Sequence, residues 1–304
     1  MTNVLVLGAT GMLGAALVGH LSTCRNYSVA ATVRPDRALF ACAEAYPGLT
    51  WHHLDAETCT VPELEVLLSG HDWVINAAGL IKQKIHTGSL TDWEKALRVN
   101  ALFSVLLAQA AERIGATVLQ ITTDCVFSGL RGGYTEDDVH DALDVYGKSK
   151  SLGEIDSPHI RHLRCSIVGP ERDTAYSLLN WFLGHRHGDT VSGFINHHWN
   201  GLSSYHFARI CQGVMDCGIE LPLHQHVVPA DTVSKHDLLV MFARHFGRND
   251  ITIRRTEASE GVDRTLTTVD PALNDRLWRA AGYDAPPTID HMIQELAAHA
   301  PISD

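Results

Sequence analysis

The sequence predicts an α/β protein with a doubly wound parallel sheet, followed by a smaller mixed α/β domain. Three observations carry this expectation. Short apolar runs rich in β-formers alternate with helical stretches through the first half of the chain. The first of these runs, Val4–Leu7, leads through Gly8-Ala9-Thr10-Gly11-Met12-Leu13-Gly14 into a helical Ala15–Leu21. After Gly169-Pro170 the alternation gives way to an irregular pattern. Residues 1–170 are therefore expected to form a dinucleotide-binding domain. Residues 171–304 would supply most of a substrate domain, interleaved with the last sheet strands.

The predicted strands are Val4–Leu7, Ser28–Val33, Thr50–Leu54, Trp73–Asn76, Val118–Thr122 and His159–Ser166. Helical stretches lie between them, notably Pro62–Leu68 and the long Thr91–Ile114, on which Trp93 and Phe103 are expected to be core. Strand–helix alternation implies parallel pairing with helices on both faces, and it places ligands at the carboxyl ends of the strands. Gly8, Asn76 and Thr123 all fall at such ends. In the second half, Ser177–Leu183 and Tyr205–Met215 read as helices, Thr190–Ile195 as extended and Asn196–Gly201 as a polar, aromatic loop. Ile289–His299 reads as an amphipathic helix.

Composition narrows the functional class. Lys and Arg number 24 against 35 Asp and Glu, a net charge of −11, which argues against nucleic acid or an anionic membrane as partner. No run approaches membrane-spanning length. The opening Met1–Leu7 lacks the basic, long apolar pattern of a signal peptide, so a cytoplasmic location is expected. Seven cysteines with no Cys-x-x-Cys spacing fit reduced thiols. The 19 histidines include no His-Glu-x-x-His pattern, so no metal is expected.

The chemistry concentrates in residues 122–150. Tyr146 and Lys150 are four residues apart and share one helical face. A phenol titrates near pH 10, and an ammonium beside it should lower that value toward the working range. Thr123, at a strand end, would hydrogen-bond the same substrate oxygen. Such a set moves a proton on or off a carbonyl oxygen and needs a hydride carrier beside it. The strand–glycine turn–helix at the start of the chain fits one, because it allows a pyrophosphate to approach the backbone at a helix N-terminus.

Gly8-x-x-Gly11-x-x-Gly14, Asn76-Ala77-Ala78-Gly79, Thr123 and Tyr146-x-x-x-Lys150 together resemble the extended short-chain dehydrogenase/reductase superfamily, with its Rossmann-type fold. More narrowly, Thr122-Thr123-Asp124-Cys125-Val126-Phe127-Ser128-Gly129 and Val145–Glu154 resemble the dTDP-4-dehydrorhamnose reductases. The resemblance implies that Thr123, Tyr146 and Lys150 are catalytic. It implies that Gly8, Thr10, Gly11, Met12, Leu13, Gly14, Asp55, Asn76, Ala77, Ala78, Gly79 and Asn100, with Tyr146 and Lys150, surround a dinucleotide. For Asp55 a helix N-cap is the competing role. Asn100 is unfavourable mid-helix by propensity, which points to a structural or proton-relay purpose. The second strand runs into Arg34 with no acid before Asp36, so NADP(H) is favoured and NAD(H) possible.

The resemblance also implies a nucleotide-sugar substrate, with the protein a monomer or homodimer. Asp124, Cys125 and Val126 would lie near that substrate. Trp199 would stack on it or serve as a buried anchor, and Arg264, like Val233-Ser234-Lys235, would contact a diphosphate or remain a solvated charge. Close relatives in the superfamily are 4-epimerases and 4,6-dehydratases; the dehydratases carry Thr-Asp-Glu where this chain has Thr123-Asp124-Cys125. Another relative is a non-catalytic regulatory subunit of methionine adenosyltransferase. Cys125 stands where the reductases usually carry tyrosine, which leaves the identity of the sugar open.

Overall fold

The first strand, β1 (Thr2–Leu7), has Val4, Leu5, Val6 and Leu7 fully buried. A strand with no exposed side chain belongs in the middle of a sheet covered on both faces. The chain continues through α1 (Met12–Leu21), β2 (Tyr27–Val33), α2 (Leu39–Ala45), β3 (Thr50–His53), α3 (Val61–Leu68) and β4 (Trp73–Asn76). Next come α4 (Leu90–Leu97), a π-turn over Arg98–Leu102, α5 (Phe103–Ile114), β5 (Val118–Thr122), α6 (Val145–Leu152) and β6 (Ile160–Arg164). The computed structural model describes residues 1–86, 88–172 and 175–299.

Beyond β6 the elements are shorter: β7 (Ile167–Val168), α7 (Leu178–Leu183), β8 (Thr190–Phe194), β9 (His197–Trp199), β10 (Leu202–Ser203) and α8 (Ser204–Cys217). Then follow β11 (His224–His226), β12 (Val233–Ser234), α9 (Lys235–His245), β13 (Thr252–Thr256), β14 (Val262–Asp263), α10 (Pro271–Ala280) and α11 (Ile289–His299).

The main sheet has seven strands in the order β11-β6-β5-β4-β1-β2-β3, and β6 through β3 pair in parallel. The order reverses between β1 and β4, the point at which ligands bind in open α/β sheets. Register aligns the strand ends: Leu7 pairs with Asn76 and Asn76 with Gln120. On one face, Leu5, Leu7, Leu64, Leu68, Phe103, Leu107, Val118 and Ile160 form a continuous core.

Two compact units are present. One comprises Met1–Val126, His140–Arg164 and Glu220–Gln225; the other comprises Phe127–Val139, Cys165–Ile219 and His226–Asp304. The second unit carries small sheets: β7 with β10, β12-β9-β14, and β8 with β13. Its polar segment 196–201 is not the loop its sequence suggests. His197–Trp199 pairs with Val233–Ser234 on one side and Val262–Asp263 on the other, so distant partners impose the strand. Trp93 also departs from expectation: it is 41% exposed, whereas Phe103 is fully buried. Trp93 lies on an exposed face of α4, with Leu90 and Leu97 also exposed. No helix among the described residues is long and apolar enough to cross a membrane.

Candidate active site

The glycine turn after β1 is shaped by backbone packing. Gly8 has φ +79°, a conformation that costs an L side chain but not glycine. A Cβ on Gly14 would lie 2.2 Å from the Gly8 carbonyl oxygen, so α1 rests directly on the turn. The Gly8 amide donates to Thr32 Oγ1 at 3.0 Å, and the Gly11 amide donates to the Gly8 carbonyl at 3.1 Å, which fixes the loop. Helices α4, α6, α7, α8, α9 and α10 each begin with a side chain accepting an amide of their first turn. At α1 the N-cap is Gly11, which provides none. Thr10, Met12 and Leu13 complete this turn. The result is a bare, glycine-lined helix N-terminus suited to a pyrophosphate.

At the end of β4, Asn76 is 2% exposed and locks the neighbouring strand end. Its Nδ2 donates to Gln120 Oε1 at 2.8 Å, and its Oδ1 accepts the Ala78 amide at 3.0 Å. The backbone that follows packs directly on the glycine turn, since a Cβ on Gly8 would come within 2.8 Å of the Ala78 backbone. Asn100, buried in the π-turn, accepts the Leu80 amide at 2.8 Å and donates to the Leu80 carbonyl and to Ser149 Oγ at 3.0 Å. Ser149 in turn donates to the Tyr146 carbonyl at 2.9 Å. The asparagine thus ties the β4 loop to α6, which carries the tyrosine and lysine.

Helix α6 is capped by Asp144, whose carboxylate accepts the Gly147 amide at 2.9 Å. Gly147 lets the helix approach the β5 end closely, because a Cβ there would meet the Cys125 carbonyl oxygen at 2.4 Å. Thr123 lies beside Tyr146 and favours its ionised form. Thr123 Oγ1 also donates to Asp124 Oδ1 and accepts the Cys125 amide, both at 3.2 Å. Lys150 Nζ and Asn100 Oδ1 would lie 3.4 and 3.5 Å from a Cβ on Gly79, so both converge on that glycine.

The electrostatics correct one expectation. Tyr146 is pushed above its ordinary value, chiefly by burial and then by the neighbouring Cys125; Thr123 opposes the shift. Lys150 is pushed below its ordinary value by burial, with Glu154 and then Cys125 opposing. Dense protein around both groups disfavours their charged forms, so the phenol stays protonated at neutral pH. This is the state from which a proton can be given to a substrate oxygen.

Other predicted residues are placed as follows. Arg34 is exposed and forms an ion pair with Asp36 at 3.3 Å. Asp55 accepts the Glu57 amide at 2.9 Å and is not a helix cap; α3 begins at Thr60, whose amide and hydroxyl both donate to Glu63. Asp124 and Val126 are buried at the end of β5, with Cys125 half-buried between them. Trp199 is a buried anchor, not a stacking platform: it is 9% exposed and its Nε1 donates to Ser166 Oγ at 2.9 Å. Arg264 is half-buried, with Nε donating to the Phe127 carbonyl at 2.9 Å. Ser234 caps α9 by accepting the Asp237 amide at 3.1 Å. A feature beyond the sequence reading is the buried Glu154–Arg164 pair behind α6, whose one local signal is an acid four residues after Lys150.

A family model described as RmlD substrate binding domain matches residues 1–167. The rat methionine adenosyltransferase 2 subunit beta is 30% identical over 156 residues, covering 50% of this chain and 41% of that protein. A dTDP-4-dehydrorhamnose reductase from Aggregatibacter actinomycetemcomitans is 30% identical over 164 residues, covering 51% of this chain and 46% of that protein. The chain thus spans less than half the length of these curated relatives. Among solved structures, the Bacillus anthracis dTDP-4-dehydrorhamnose reductase in complex with NADP has a TM-score of 0.73 at 16% identity, covering 99% of this chain and all of that one. The Bacillus cereus UDP-glucuronic acid 4-epimerase, in complex with UDP-glucuronic acid and NAD, also has a TM-score of 0.73, at 19% identity and 98% coverage of both chains. At such identities the structural likeness establishes the fold, which reductases and epimerases share. The family match rests on residues 1–167, the stretch that holds the glycine turn, Thr123, Tyr146 and Lys150, and by it the chain belongs to the RmlD substrate binding domain family.

Proposed function

We propose that this protein is an NADPH-dependent reductase of a 4-keto-6-deoxy nucleotide sugar. The observation that carries the reading is Thr123 beside Tyr146, and Lys150 reaching Gly79 at the end of β4, in the same compact unit as a turn that Gly8 and Gly14 can form only without a Cβ. The cradle at Gly8, Gly11 and Gly14 fits a dinucleotide pyrophosphate. On this reading Thr10, Met12 and Leu13 offer their amides to it, and Arg34 meets the 2′-phosphate. Asp55 lies by the adenine, Asn76–Gly79 leave room along the dinucleotide, and Lys150 holds the nicotinamide ribose. NADP(H) is favoured by Arg34, with NAD(H) accepted more weakly.

The bound dinucleotide supplies the hydride for the sugar C4. Thr123 orients the carbonyl through its hydroxyl. Tyr146, kept protonated by burial, donates its proton to the oxygen as negative charge develops there. The Lys150 ammonium stabilises the phenolate left behind. Positioning contributes the remainder, since Asn76, Asn100 and Ser149 fix the elements before any ligand arrives. Residues 1–170 act as the dinucleotide domain and 171–304 mainly as the substrate domain, with Arg264 among the substrate contacts. The protein would work in the cytoplasm, as monomer or homodimer.

The likeness to the methionine adenosyltransferase subunit favours a second reading, a regulatory NADP-binding subunit. The complete Thr123/Tyr146/Lys150 set weighs against it, because a pure binding module has no use for all three. A dehydratase would need a second acid beside Asp124, where this chain has a thiol at Cys125. The test is mass spectrometry after incubation with NADPH and a panel of 4-keto nucleotide sugars. A product heavier by two hydrogens supports the reductase. A nucleotide hexose lighter by one water, made with NADP⁺ or NAD⁺ and lost in Cys125→Ser, would overturn it.

A further inference from the structure

Behind the catalytic helix lies a buried charge cluster that the proposed reaction leaves without a role. Glu154, one turn beyond Lys150, and Arg164, at the end of β6, have side chains only 2% and 1% exposed. Arg164 Nε donates to Glu154 Oε1 at 3.1 Å, and its Nη2 donates to the other carboxylate oxygen. Nη2 also lies 2.9 Å from His140 Nε2. A guanidinium can only donate, so His140 accepts there, is neutral and carries its proton on Nδ1. That nitrogen donates to Ser151 Oγ at 2.8 Å. His224 Nε2 stands 3.4 Å from Glu154, and His162 stacks on His224 with ring centroids 4.9 Å apart. All these residues belong to one compact unit.

An ion pair this deeply buried is a poor source of stability, because apolar residues of equal volume commonly serve as well. It does fix a carboxylate four residues after Lys150, just past the Gly153 cap of α6. It also closes a loop of bonds from the segment before α6 (His140) to its last turn (Ser151) and on to β6 (Arg164). Lys150 is otherwise faced by Cys125 from the β5 end and by Asn100 Oδ1 from the π-turn, and carries Tyr146 one turn back on its own helix. Glu154 is faced by Arg164 and His162 of β6, His224 of β11 and His140. We propose that Glu154 is a positioning residue: clamped by Arg164, which His140 holds in turn, it secures the last turn of α6 and keeps Lys150 charged for the reaction. The role in turnover rests on the reductase reading; the effect on Lys150 does not.

The test titrates Lys150 in the full chain by NMR, with lysines labelled at the ε-carbon and the Lys150 signal identified by its loss in Lys150→Met. In Glu154→Gln the Lys150 midpoint should fall by about one pH unit, the usual effect of removing one nearby opposite charge. If Glu154→Gln does not fold, the double variant Glu154→Leu/Arg164→Met removes the carboxylate without stranding a guanidinium, and a smaller fall in the same direction is expected. Glu154→Asp should restore much of the midpoint. An unchanged midpoint in a folded variant would overturn the proposal. With a 4-keto nucleotide sugar, the alkaline limb of the kcat profile should move with the Lys150 midpoint; a limb that stays put overturns the positioning role. A wild type that oxidises no NADPH while its midpoint responds to Glu154→Gln would refute the reductase reading and leave the charge effect standing.

Discussion

At the proton-transfer end of the candidate site, Asn76, Asn100 and Ser149 are 2%, 3% and 0% exposed and bonded to one another's elements. At the proposed ribose-phosphate end, Arg34 and Asp36 meet at 3.3 Å with side chains 55% and 63% exposed. Both ends sit in the same compact unit and on the same sheet. The first end is a fixed framework in which a small displacement is costly. The second is a solvated ion pair worth little by itself, free to exchange its partner for a ligand phosphate. Chemistry should therefore tolerate almost no change, whereas cofactor preference should be adjustable.

The largest effect should come from Tyr146→Phe, which removes the proton donor and keeps the ring. Turnover should fall by roughly 10²–10⁴, the usual worth of one acid–base group, while NADPH affinity stays near wild type. Turnover close to wild type would remove Tyr146 from the mechanism. Gly14→Ala comes next. Its Cβ would sit 2.2 Å from the Gly8 carbonyl oxygen, so the turn must shift. A loss of about 1–3 kcal/mol in stability and weaker NADPH binding should follow, read by chemical unfolding and fluorescence titration. Unaltered stability and binding would show that the turn is looser than this packing implies.

A smaller effect is expected at the exposed end. Arg34→Ala should weaken NADPH roughly tenfold and NADH little, because only NADPH carries the 2′-phosphate. Equal losses for both would show that Arg34 does not read it. A separate measurement tests the buried framework by pH. Burial pushes His162 from 6.5 to about 4, and its Nε2 donates to the Ile155 carbonyl at 3.0 Å. Between these two values the unfolded chain binds a proton that the folded chain does not. Stability should therefore fall with falling pH by up to about 1.4 kcal/mol per unit from this group. Urea unfolding at several pH values should show a shallower slope in His162→Gln, and an identical slope would remove His162 from the account.

Much of the fixed end was legible in the sequence because local backbone demands encode it. Gly8 and Gly14 have to be small where strand, turn and helix meet, and Tyr146 and Lys150 are set four apart by helical geometry. The family resemblance marked Asn76 and Asn100, though their bonds to Gln120 and Ser149 join residues 44 and 49 positions away. Assemblies gathered from distant segments were not legible. The Glu154–Arg164–His140–His224 cluster draws on four separate stretches, and the β9 strand exists because β12 and β14 flank it. Trp93 and Trp199 show the same limit from opposite sides. The sequence identifies large aromatic residues, but tertiary packing left the first exposed and enclosed the second. The lowered phenol pKa expected from Tyr146-x-x-x-Lys150 failed because spacing carries no information about burial.

The central claim, hydride to the sugar C4 with a proton from Tyr146, is tested most directly by isotope transfer. NADPH deuterated at the nicotinamide C4 is incubated with the wild type and a 4-keto-6-deoxy nucleotide sugar, and the product is examined by NMR and mass spectrometry. The account predicts one deuterium, located at C4 of the sugar and absent from the Tyr146→Phe incubation over the same time. A product without deuterium, deuterium at another carbon, or equal labelling by Tyr146→Phe would contradict it.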